Sequence, residues 1–168
     1  MKRTLTLMVV VVLAAGCSDD DQPSETARAA CEFRDGTTVD DIVALRAAAH
    51  DGLVTSNDAA SAKLVTPADN ARVPEDPAAT FQWNMPSAVN DQTVVWVEMT
   101  ASSGLVSPVC VLSRGTTTWT PDSLTWERLI AVGGTVTVTV TTAQISDGTI
   151  EGDLVRPTMP SHFVIVRR

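Results

Sequence analysis

Apolar and polar residues alternate with period two along much of the chain, and the cleanest case is Thr135-Val136-Thr137-Val138-Thr139-Val140-Thr141. Successive side chains of a strand point to opposite faces, so this run predicts a strand with valines inward and threonines toward water. Thr93 to Ala101 sets Val95, Val97 and Met99 against Val94, Trp96 and Glu98. Both of its faces are partly apolar, which predicts a central strand covered on more than one side. Ser161 to Val166 alternates Phe163 and Ile165 against Val164 and Val166, and closes the series.

Shorter β-branched runs fill the interval. Leu64-Val65 opens a strand, the turn-rich Pro67 to Pro74 follows, and Ala79 to Trp83 places Phe81 and Trp83 on one face. Leu105 to Leu112 carries Pro108, which removes a ladder donor and marks an edge or bulge. Thr116 to Thr120 is a further strand. Pro121 to Ile130 then interrupts with a helix-type start at Pro121-Asp122-Ser123 and apolar plugs at Leu124, Trp126, Leu129 and Ile130. Asp147-Gly148 signals a turn.

Period 3.6 appears convincingly only at Thr38 to Ala49, where Val39, Ile42, Val43, Leu45 and Ala49 fall near one face. Thr37 or Thr38 can cap this helix, Asp40 and Asp41 sit where the helix dipole favours carboxylates, and Gly52 stops it. His50 lies at its C-terminal end. Ser56 to Ala62 is small and polar and reads as a boundary. The predicted fold is all-β: an antiparallel two-sheet sandwich over 63–168, preceded by one short helix with linker over 37–62.

The front of the chain has neither period. Lys2 and Arg3 precede the apolar run Leu5 to Ala15, and small residues lead into Cys17. A membrane span needs about 20 apolar residues, so this shorter run fits the apolar region of a secretory signal over 1–16. Leu13-Ala14-Ala15-Gly16-Cys17 resembles the lipobox of a bacterial lipoprotein, although the family usually has Leu where Ala14 stands. The resemblance implies acylation of Cys17, attachment to a lipid bilayer, and residence in the bacterial cell envelope. Ser18 directly after the cysteine leans toward outer-membrane sorting. Residues 17–36 then read as a lipidated tether, because Ser18 to Ala30 has no large apolar side chain to repay its ordering.

Charge narrows the partners. The chain carries 12 basic and 20 acidic residues, and the signal stretch holds two of the former and none of the latter. The remainder has a net charge of about −10, which repels phosphate backbones and argues against nucleic acid. With Cys17 acylated, Cys31 and Cys110 form an even pair in an oxidising compartment, either bridged or left as two unrelated thiols.

From Leu64 to the end, the proline-rich lead, the strand Thr80-Phe81-Gln82-Trp83, the segment Thr118-Trp119-Thr120-Pro121 with Trp126 and Leu129, the long valine strand and the final Phe163-Val164 strand resemble bacterial fibronectin type III-like domains. The chain has no Tyr, so the corner tyrosine common in that family is missing, and an immunoglobulin-like variant is equally admissible. The resemblance implies a non-catalytic interaction or structural module.

The sequence carries no Gly-x-Ser-x-Gly elbow, no phosphate-cradling glycine loop and no His-Glu-x-x-His pair. No cofactor is expected. A small secreted hydrolase using two of the many carboxylates is an alternative, but no spacing singles out a pair. Two features suggest binding. Asp147, Glu151 and Asp153, interleaved with glycines, read first as a solvated turn and second as a calcium loop. Trp96 is the best candidate for an outward ring that would stack on a sugar, making a carbohydrate or wall-glycan binder the alternative to a module that meets an envelope protein.

Overall fold

The computed structural model describes residues 31–86, 88–102 and 108–167. The expected acylation site, Cys17, and the signal lie outside them, as does the Ser103 to Ser107 part of the turn and strand expected before Pro108. The structure is mostly β with two sheets and two helices. In chain order the elements are β1 (Cys31–Phe33), α1 (Val39–His50), β2 (Val54–Ser56), β3 (Lys63–Thr66), β4 (Ala71–Pro74), β5 (Phe81–Asn84), β6 (Thr93–Ala101), β7 (Val109–Ser113), β8 (Thr118–Trp119), α2 (Ser123–Val132), β9 (Thr135–Ser146), β10 (Thr149–Arg156) and β11 (Ser161–Val166).

An eight-stranded sheet runs β1-β7-β6-β9-β10-β2, with β11 beside the first part of β9 and β4 outside β11. A three-stranded sheet, β3-β5-β8, packs against one face of it. The alternation in β6 sorts side chains between two cores. Val95, Val97 and Met99 join Val136, Val138, Val140, Phe163, Phe81, Trp83 and Trp119, closed by Trp126 and Leu129 of α2. Val94 and Trp96 face the other way, joining Cys110, Leu112, Ala143, Ile145 and Leu154 under Ile42, Leu45 and Ala48 of α1. A central strand covered on both sides is what the doubled apolar pattern of β6 demands.

Three expectations are corrected. The sheet is mixed: β1 pairs with β7, β2 with β10 and β4 with β11 in parallel. All three added strands precede residue 75, and no short hairpin joins them to their partners, so nothing forces the antiparallel sense. Secondly, the chain before Lys63 is not a linker, because β1, α1 and β2 complete the large sheet and its second core. Thirdly, Thr149 to Asp153 is strand rather than loop; β9 and β10 form a hairpin whose turn is only Asp147-Gly148, both at positive φ, 49° and 73°. An Asp-Gly pair suits that turn because it tolerates the left-handed region at both positions.

The helices follow their caps. Thr38 and Asp41 form a reciprocal capping box, with the Thr38 amide donating to Asp41 Oδ2 at 2.7 Å. Its buried stripe is Ile42, Leu45 and Ala48, while Val43 is exposed. Asp122 caps α2 by accepting from the Thr125 amide at 2.7 Å. Among the described residues no helix is long and apolar enough to cross a membrane.

Candidate functional site

Register fixes two ends of the large sheet. At the Thr93 end of β6, the start of α1, the loop before β6, the turn after β7 and the β9–β10 turn meet around a cleft of about 640 Å³. Asp40, Asp41, Asp91, Gln92, Arg114, Ser146 and Asp147 line it. Arg114 is the one cation among these lining residues, and it is pinned. Its guanidinium donates to the Ile145 carbonyl at 3.3 Å and pairs with Asp41 Oδ1 at 3.4 Å. Asp41 is only 3% exposed, so this pairing and the Thr38 amide together compensate a buried carboxylate.

A second, shallower recess shares Asp91 and Arg114 and adds Asp35 and Thr116. Asp35 Oδ2 accepts from the Ser113 hydroxyl at 2.7 Å, the Thr116 amide at 3.0 Å and the Gly115 amide at 3.4 Å. These donors, led by Ser113, lower its pKa to about 2. Asp35 and Asp41 are thus fully employed in holding the loops. Asp40, Asp91 and Asp147 supply a concave surface of negative potential, suited to attracting a basic group rather than to moving protons.

On the α1 side of the sheet, Glu98 stands next to Cys110 on β7 and Thr139 on β9. Burial raises its pKa, and the nearby charges of Arg46 and Arg156 oppose that rise. Arg156 donates to Thr141 Oγ1 at 2.8 Å and lies 5.7 Å above the Trp96 ring. Arg46 reaches over the Cys31–Cys110 bridge, 3.7 Å from the Cys31 sulfur.

The structure places the predicted residues as follows. Cys31 and Cys110 are disulfide-bonded, opposite each other in β1 and β7. Trp96 is a correction: it is 4% exposed, sealed between the sheet and α1, and so cannot be an outward platform. Trp83, Trp119 and Trp126 are buried as well, at 1%, 1% and 4%, which leaves the sugar reading without a stacking ring among them. Asp147 sits in the hairpin turn while Glu151 and Asp153 follow on exposed β10 positions. Among the described residues no three His, Cys, Asp or Glu side chains gather as a metal site. His50 is exposed beside Asp51, and His162 lies 3.8 Å from Asp69.

Sequence reasoning did not single out Arg114, Arg46 or Arg156. Each acts through partners far away in the chain, 73 positions for Arg114 and Asp41 and 64 for Arg46 and Cys110, and no local period signals such pairs. No family model, curated protein or solved structure matches the chain.

Proposed function

We propose that the protein is a lipid-anchored lipoprotein of a bacterial cell envelope whose β body is a non-catalytic module for meeting another envelope protein. The observation that carries the reading is cysteine partition. Cys31 and Cys110 are bridged, which leaves Cys17, directly behind the apolar run, as the one cysteine for a lipid. An odd thiol outside the cytoplasm would otherwise be reactive. Two or three acyl chains at about 0.8 kcal/mol per buried methylene hold a protein on a bilayer firmly. Ser18 favours the outer membrane.

The geometry supports a direction for the contact. The first residue of β1, Cys31, lies toward the Ala101 end of β6, while the anionic cleft lies at the Thr93 end. Nine residues of strand separate them, about 27 Å. The cleft therefore lies at the end of the sheet remote from Cys31, and its negative potential suits a partner with a basic surface.

The test is metabolic labelling with a clickable fatty acid, comparing the wild type with Cys17→Ala. Loss of label and release from the membrane fraction are expected. Label that survives the substitution refutes the anchor.

A further inference from the structure

The two sulfurs of the Cys31–Cys110 bridge differ in access. Cys110 lies inside the large sheet, in β7 between β1 and β6, and is 1% exposed. Cys31 lies in β1, the last strand of the sheet on that side, and is half-buried. Register sets the two residues opposite each other, with Cα atoms 4.4 Å apart. The line from the Cys110 sulfur to the Cys31 sulfur therefore runs across the strands toward the margin of the sheet, and no described strand follows β1 there. In thiol–disulfide exchange a thiolate attacks one sulfur while the other leaves, so access to each sulfur decides the direction. A nucleophile in line with the bond can reach Cys31 from beyond the margin. The same approach to Cys110 would have to pass through β6, where Glu98 stands opposite Cys110.

The charge around the bridge favours the same direction. Arg46 of α1 sets a guanidinium nitrogen 3.7 Å from the Cys31 sulfur and 3.9 Å from the Cys110 sulfur. Burial in apolar surroundings disfavours a thiolate, and an adjacent cation offsets that. Cys110 is packed with Val94, Trp96 and Leu112 in the core under α1, so Arg46 is the group that lets it leave as an anion. Two further charges face this side of the sheet. They are Glu98 of β6, which works against a thiolate, and Arg156 of β10, close enough to act on Glu98. Glu32 meets Trp119 and Arg34 instead.

We propose that the Cys31–Cys110 bridge is an exchange site for a partner protein carrying a dithiol or its disulfide, with Cys31 the sulfur attacked and Cys110 the thiolate that leaves beside Arg46. In the reducing direction a partner thiolate bonds to Cys31 Sγ, the Cys31–Cys110 bond breaks, and its electron pair goes to Cys110 Sγ, which then takes a proton from water. The partner's second thiolate attacks the partner sulfur of the mixed disulfide, and Cys31 leaves as a thiolate. The bridge has then gained two electrons and the partner has become a disulfide. Run in reverse, the same path makes the bridge: a partner disulfide loads Cys31, and the Cys110 thiolate held by Arg46 resolves it. The inference needs only the bridge and its surroundings, so it stands whether or not Cys17 is acylated.

The test treats the full chain, purified in detergent, with reduced glutathione in the absence of denaturant, quenches with acid and maps the adduct by peptide mass. Glutathione is expected on Cys31, with Cys110 free. Reduction by dithiothreitol at pH 7, below the urea midpoint of each variant, is expected to slow about fivefold in Arg46→Met and to quicken about threefold in Glu98→Gln. A structural role alone predicts the opposite for Arg46→Met, since loosening the fold hastens reduction. The adduct position is read in the wild type, so it does not depend on a variant folding. An adduct on Cys110, reduction that proceeds only above the urea midpoint, an Arg46→Met rate equal to or above that of the wild type, or a Glu98→Gln rate no faster than the wild type overturns the proposal.

Discussion

The indole N–H of Trp119 donates to Glu32 Oε2 at 2.6 Å, joining side chains 87 positions apart. Glu32 belongs to β1, the edge of the large sheet, and Trp119 to β8, the edge of the small one. This one bond therefore ties the two layers at their shared margin. Arg34 pairs with the other oxygen of the same carboxylate at 2.6 Å, so Glu32 is the hub of a three-residue clasp.

Glu32→Ala leaves the Trp119 indole without its acceptor in a side chain only 1% exposed. An orphaned buried donor costs about 1 to 3 kcal/mol, so the urea midpoint should fall accordingly. Trp83 is an internal comparison, because its indole nitrogen is buried without a partner. Trp119→Phe should therefore cost about 1 kcal/mol more than Trp83→Phe, whose loss is packing alone. Equal costs would show that the Glu32 bond contributes nothing.

The disulfide joins residues 79 positions apart. In the chain-entropy account a loop of that length contributes about 4 to 5 kcal/mol by restricting the unfolded state. Reductant should lower the denaturation midpoint of the wild type and leave Cys31→Ser with Cys110→Ser unmoved. Because β1 is an edge strand that pairs with β7 alone among the strands, proteolysis after Arg34 should also quicken on reduction.

Much of this architecture is legible in the residues, and what escaped has a physical reason. The period-two runs located β6, β9 and β11 closely, because burial on one face leaves an unmistakable alternation. The helix starting at Thr38 was legible from its cap. The role of β1 and β2 was not, since three-residue strands carry too short a pattern and gain their stability from pairing with β7 and β10. Trp96 was misplaced for a related reason. Alternation shows that Val94, Trp96 and Glu98 share a face, but not that a helix 50 positions earlier covers two of the three. The calcium reading of Asp147, Glu151 and Asp153 rested on composition, whereas pairing with Ser146, Ile145 and Gln144 makes the segment a strand.

Arg114 and Asp41 make the strongest case for a single substitution at the anionic end. Arg114→Ala leaves a carboxylate that is only 3% exposed without its counter-charge. Breaking such a pair from one side costs about 3 kcal/mol or more. Asp41 also caps α1, so loss of helix signal should accompany the loss of stability. Asp91→Lys, which touches no such pair and lies outside both the helix and the hairpin turn, should leave the stability within about 0.5 kcal/mol while making the cleft less negative.

Two carboxylates should give opposite pH signatures. Asp35, held at a pKa of about 2 against an ordinary 3.8, stabilises the fold above its unfolded value, and that contribution is lost as pH falls through its folded value. Asn tolerates the positive φ of 55° at this position, so Asp35→Asn should cost stability at pH 5, with the deficit vanishing toward pH 2. Glu98 runs the other way. Burial raises its pKa above 4.5, so its neutral form favours folding at low pH, and that advantage is lost as pH rises through the folded value. Glu98→Gln should remove this loss and make the protein relatively more stable than the wild type at pH 7 than at pH 3. Urea midpoints for both variants across pH 2 to 7 separate the two; parallel curves would show that neither carboxylate is perturbed by its surroundings.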